Sequence, residues 1–148
     1  MNWSDIISTG AQVATAASVL IAAASILLAK EMFRKQMNAD IFMTFTSRYE
    51  NIVAAFPPQL RFSRFDRPDE AIALSEDVLL AILRYLNLCS EEFYLQKAGL
   101  LDKKIWSIWE DELIKTLRSR TVVAAWHELS PEFSSYPEFV KFVEATQA

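Results

Sequence analysis

Few side chains in this sequence combine in type and spacing to do chemistry. His127 is the single histidine and Cys89 the single cysteine. Glu128 follows His127, but no second histidine stands one turn further along, as a zinc-protease helix requires. The Glu-x-x-His spacing of carboxylate-bridged di-iron bundles is absent as well. Because a metal site needs three or four converging groups, His127 is expected to be structural or at the surface. Cys89 lies among apolar neighbours with no partner base, so it is expected to be a small buried residue rather than a nucleophile. One cysteine also excludes a disulfide framework or a multi-cysteine zinc site within one chain.

The carboxylates are clustered as Glu91-Glu92 and Glu110-Asp111-Glu112. Adjacent residues on a helix point in different directions, so these read as solvated faces and not as pairs sharing a proton. Arg84, Asn87 and Glu91 fall on one stripe of an otherwise apolar helix. A wet face is expected there, with a buried polar network as the alternative. Two glycines, Gly10 and Gly99, cannot build a phosphate-cradling loop. The sequence therefore points to no catalytic residue, no metal and no cofactor, and a tethered enzyme is the least favoured function.

The densest functional patch is basic and aromatic: Arg61, Phe62, Arg64, Phe65 and Arg67. Such a patch beside a membrane could meet anionic headgroups, with its rings in the interface. Equally, its rings could be core and its arginines could pair with the acidic residues of the chain. The net charge of −4 argues against a dedicated nucleic-acid binder, which needs a basic face to displace counterions from phosphate, so a nucleic-acid partner is not expected.

The positioning elements begin with an apolar segment. Of the 148 residues 52% are apolar, and from Ile6 to Ala29 no residue is charged. As a helix these residues would extend roughly 36 Å, enough to cross a ~30 Å hydrocarbon layer with some tilt. A cleaved signal peptide would need a basic start and a short apolar run, and neither is present. A buried core helix is the other alternative, but an uncharged run of this length favours a span. The segment is rich in alanine and hydroxyl residues, which suits packing against another helix. Gly10, Ala14, Ser18 and Ala22 recur every four residues as a ridge, with Ser25 near it. That ridge is either a helix-packing face or the chance product of an alanine-rich composition.

Lys30, Arg34 and Lys35 follow the segment, while no Lys or Arg precedes it. The excess of basic residues predicts a cytoplasmic C-terminal part and a short outside N-terminus, residues 1–5, with Trp3 as an interfacial anchor. The expected organisation is a transmembrane helix over 6–29, an amphipathic membrane-proximal helix over 30–56, a basic-aromatic connection over 57–74 and a helical domain over 75–148. Phe33, Met37, Ile41, Phe45, Tyr49, Ile52 and Phe56 recur at helical steps and define one face. Pro57-Pro58 stops that helix. A second helix is predicted from Ser75, with Gly99 ending it in the left-handed conformation. Asp102 caps a third over about 103–118, with Ile105, Trp106, Trp109, Leu113 and Leu117 as its apolar face. Short helices follow around 122–129 and from Pro137, with Ser130-Pro131 as a cap and first turn between them. The fold class is all-α: one N-terminal transmembrane helix continuing into a small cytoplasmic helical bundle.

The C-terminal half resembles a family of uncharacterised, mostly bacterial and phage, single-pass membrane proteins with a helical domain of unknown function. The resemblance is carried by KAGLLDKKIWSIWE from Lys97 to Glu110, AWHE from Ala125, SPEF from Ser130 and PEFV from Pro137, together with the layout of span, basic flank and helices. Its members have a span richer in Val, Leu and Tyr, whereas this one is rich in Ala and Ser. The resemblance implies an architecture and a bacterial inner membrane setting, and carries over no catalytic residues.

The expected function is a non-catalytic, membrane-anchored interaction module, an accessory subunit that meets other membrane subunits or itself through the span. Anionic lipid headgroups are a further possible partner. The alternative is a self-associating membrane effector whose clustered spans perturb the membrane.

Overall fold

The computed structural model describes residues 3–61 and 72–148, and these are all helical or in short connections, with no strand among them. Helix α1 spans Trp3–Ala54, α2 is one turn over Pro58–Arg61, α3 is Glu76–Lys97, α4 Lys103–Leu117, and α5 Arg120–Leu129. A 3-10 turn over Ser130–Phe133 then leads to α6, Pro137–Gln147. The chain divides into two compact units, residues 1–40 and 41–148. The last turns of α1, from Ile41 onward, thus belong to the second unit.

Within the first unit α1 is a single uninterrupted helix. The stretch Ala14–Ala54 contains an 18-residue window of mean hydropathy 1.7, none of it buried, so one helix is long and apolar enough to cross a membrane. Val19, Leu20, Ile21, Ile26, Leu27 and Leu28 are all exposed. Phe33, expected on the packed face, is exposed as well. Within the second unit the periodic face is packed: Phe45 is buried, and Ile41, Tyr49 and Ile52 pack on the core.

The helix ends at Ala54, two residues earlier than Pro57 alone suggests. Its last turn tightens, with Phe56 N–H donating to the Val53 carbonyl at 3.1 Å. A residue preceding proline is driven out of the helical region by the ring, and Phe56 precedes Pro57. That bend carries Phe56 into the core. The connection after it starts as helix: the Leu60 N–H donates to the Pro57 carbonyl at 2.9 Å, and Leu60 is fully buried.

In the second unit α3 packs against α4, α5 and α6, and α4 packs against α5 and α6. The starts and stops follow the sequence signals. Ser75 stands at the N-cap of α3 in an extended conformation, although its side chain makes no cap bond. Gly99 follows α3 with φ +70°, the left-handed conformation that costs a side-chain-bearing residue most. The Asp102 side chain accepts from Lys104 N–H at 2.9 Å, and the Ser119 hydroxyl accepts from Val122 N–H at 3.3 Å. Each removes an orphan donor from a helix start.

Rings fill the centre. Trp126 lies 5.4 Å from Phe133, Phe133 lies 5.6 Å from Phe139, and Phe139 lies 5.7 Å from Phe93 between centroids. Phe93 then meets Trp106 edge-on at 6.1 Å. This chain of rings ties α5, the 3-10 turn, α6, α3 and α4 together. Where α4 and α6 end, their orphan carbonyls are satisfied reciprocally. Gln147 donates to the Leu117 carbonyl at 3.1 Å, and Arg118 donates to the Thr146 carbonyl at 3.2 Å.

Two substitutions test this account. Phe133→Ala should destabilise the fold by about 3–5 kcal/mol through the cavity left among the rings. Gly99→Ala should cost about 1–2 kcal/mol from the left-handed backbone alone, since a Cβ there meets nothing within 4 Å. Denaturant unfolding of the full chain in mild detergent measures both.

Candidate functional site

Two places in the chain carry unusual physical chemistry, one in each unit. The first is the uncovered part of α1. Gly10, Ala14, Ser18, Ala22 and Ser25 all lie on this helix, and the last four are exposed. The Ser18 hydroxyl donates to the Ala14 carbonyl and the Ser25 hydroxyl to the Ile21 carbonyl, each at 2.8 Å. Both protons are therefore used within the helix itself, and only the oxygen lone pairs remain for a neighbouring helix. The ridge offers close approach more than it offers donors.

At the end of this stretch Glu31 sits between basic residues. It pairs with Arg34 at 3.0 Å and with Lys35 at 3.8 Å, all three well exposed. Such pairs contribute little to stability. Lys30 and Trp3 are exposed too. Arg61 lies on α2, while Arg64 and Arg67, with Phe62 and Phe65, lie outside the described residues.

The second place centres on α3. The stripe of Arg84, Asn87 and Glu91 is wet at its first two positions, and Glu91 is half-buried. Arg48 of α1 grips Glu91 with both guanidinium nitrogens, Nη2 at 2.9 Å from Oε1 and Nη1 on Oε2. The guanidinium also stands 5.1 Å from the centroid of the Phe45 ring. The Arg48 fork holds Glu91 below the usual carboxylate range, and Glu91 in turn raises Arg48.

Glu92 departs from the solvated face expected for it. It is 8% exposed, and among the described residues its carboxyl takes no hydrogen bond; burial, against a weaker pull from Arg48, pushes it up to about 8. The reason is its register on α3. Ala81, Tyr85, Leu88 and Glu92 follow one another at steps of four, three and four, so Glu92 continues a buried row. Glu91, one position away, points toward Arg48 instead. The adjacent carboxylates thus live in opposite environments.

A cavity of about 110 Å³ lies against Glu92, walled by Phe45, Thr46, Tyr49, Tyr85, Leu88 and Trp109. Phe45 is 5.7 Å from Trp109, and Tyr49 meets Tyr85 edge-on at 6.3 Å. Cys89 is buried as expected; burial first and the nearby Glu92 second push its thiol well up, which keeps it protonated and unreactive. Trp106 and Trp126 are buried and Trp109 half-buried, in keeping with core roles. His127 is exposed on α5. No group of three or more metal-ligating side chains converges among the described residues.

Glu92 is the residue that sequence reasoning missed. The signal was available in the period of α3, where it continues the apolar row, but the adjacent Glu91 suggested a polar face. The Arg48–Glu91 clamp joins positions 43 apart and has no local signature. Comparison of the chain with family models, with curated proteins and with solved structures finds no match.

The Glu92 environment predicts an unusual pH dependence. A glutamate with an ordinary value of 4.5 titrates near 8 when folded. Between those values the folded chain keeps a proton that the unfolded chain has lost, so stability falls as pH rises through that window. The contribution is complete below 4.5 and is gone above about 8. Glu91 acts in the opposite sense: its stabilising pairing is lost as pH falls through its lowered value. Glu92→Gln should abolish the decline between pH 4.5 and 8 and leave the acid limb intact. Denaturant unfolding across that range compares the two chains directly.

Proposed function

We propose that this protein is a membrane-anchored interaction module, an accessory subunit of a membrane complex that acts without catalysis. One observation carries the reading: a helix long and apolar enough to span a membrane has no part of its apolar window buried by the rest of the chain. Uncovered leucine and isoleucine over that length need lipid or another protein. The basic residues Lys30, Arg34 and Lys35 support a cytoplasmic helical domain and an outside N-terminus. The resemblance in the C-terminal half favours a bacterial inner membrane. The small residues Gly10, Ala14, Ser18 and Ala22, with Ser25, give a partner helix room to approach.

On this reading the protein stays in the membrane pellet after alkaline carbonate extraction. Removal of residues 1–29 transfers it to the soluble fraction. A fluorescent protein fused after Ala148 glows, which reports a cytoplasmic C-terminus. Gentle-detergent purification of the tagged protein, followed by mass spectrometry, recovers a fixed set of membrane subunits. Recovery of a homo-oligomer alone, with dye entry on overexpression, would replace the accessory role with the self-associating effector. Carbonate-extractable protein would reject membrane anchoring.

A further inference from the structure

We propose that the cavity beside Glu92 is a binding site for a small organic ammonium ion, held by the Glu92 carboxylate and the surrounding aromatic rings. At about 110 Å³ it has several times the room that one water needs. Besides Glu92, the polar side chains on the walls are Thr46 and the two tyrosines; the rest of the lining, Phe45, Trp109 and Leu88, is ring and aliphatic surface that offers a water no partner. A metal ion would need several oxygen ligands, and one carboxyl among rings does not supply them. What these walls do supply is electron-rich ring surface, from Phe45, Tyr49, Tyr85 and Trp109, next to one acid. That combination suits a soft, weakly hydrated cation bearing alkyl groups.

The charges agree. From α1 the site is faced by Arg48 and Tyr49, and from α3 by Tyr85, Cys89 and Glu91; α4 contributes the uncharged Trp109. Arg48 is already engaged by both oxygens of Glu91 and stands against Phe45. Arg48 still draws on Glu92, but burial outweighs that pull, so ionised Glu92 is only partly compensated. A monocation entering the cavity balances it. Without such a ligand, the buried carboxyl, which accepts no hydrogen bond among the described residues, keeps its proton. Binding therefore exchanges the Glu92 proton for the cation. The inference concerns the second unit alone and stands whatever surrounds the apolar part of α1.

The test uses the full chain in nanodiscs of phosphatidylglycerol, with tetramethylammonium chloride as probe and neopentyl alcohol as its uncharged counterpart. Calorimetry should show saturable binding of the ammonium and not of the alcohol. Affinity should rise with pH, approaching tenfold per unit below about pH 8, with one proton released. Glu92→Gln, which mimics the neutral acid and keeps the fold, should weaken binding by at least about tenfold and remove its pH dependence. Trp109→Leu should weaken binding while leaving proton uptake by Glu92 intact. Competition by discs carrying choline headgroups would identify the natural ligand as lipid; undiminished probe binding in such discs would identify a free amine. Equal binding of the alcohol, unchanged binding by Glu92→Gln, or no saturation at concentrations on the order of 100 mM would overturn the proposal.

Discussion

An apolar side chain must leave water, and a backbone that leaves water must satisfy its own hydrogen bonds. Helix α1 meets the second condition by being an unbroken helix, and none of its apolar window is buried among the described residues. Even the hydroxyls of Ser18 and Ser25 turn back onto their own helix carbonyls. Such a helix is long and apolar enough to cross a membrane. Basic residues gather where the apolar run stops, and in the second unit the helical period gives α1 a packed face.

In the second unit the same principle operates with protein as the solvent. Rings from α3, α4, α5, α6 and the 3-10 turn bury one another, and helix ends are closed by Asp102, Ser119, Arg118 and Gln147. The exception is Glu92, a carboxyl in a row of buried apolar positions with no hydrogen bond among the described residues. Such a group is costly to keep unless something compensates it, which makes it the most informative polar atom in the unit. Its neighbour Glu91 shows what a compensated carboxylate looks like here, clamped by both arms of Arg48.

Local signals wrote most of the secondary structure. Gly99, Asp102 and Pro137 each act through their own backbone geometry or a bond two or three residues away, so they are readable without knowing the fold. The readings that failed depended on neighbours distant in sequence. Phe33 has the right spacing for the packed face, but spacing cannot say how far along α1 the packing begins. Leu60 follows two prolines, yet one helical turn carries it into the core. Glu92 continues the buried row of α3, but the glutamate beside it suggested a polar face, and the partner that sets Glu91 apart, Arg48, is distant in sequence. The candidate site was for this reason less legible than the fold: its walls come from three helices, and no short motif joins them.

The central claim, that the uncovered part of α1 resides in lipid, is tested most directly by spin labels placed singly at Leu20 and Leu27 of the full chain in lipid bilayers. Collisions with dissolved oxygen and with a water-soluble nickel chelate report the medium at each label. The account predicts strong oxygen relaxation and negligible relaxation by the chelate at both positions. Free collision with the chelate would place this helix in water and contradict the account.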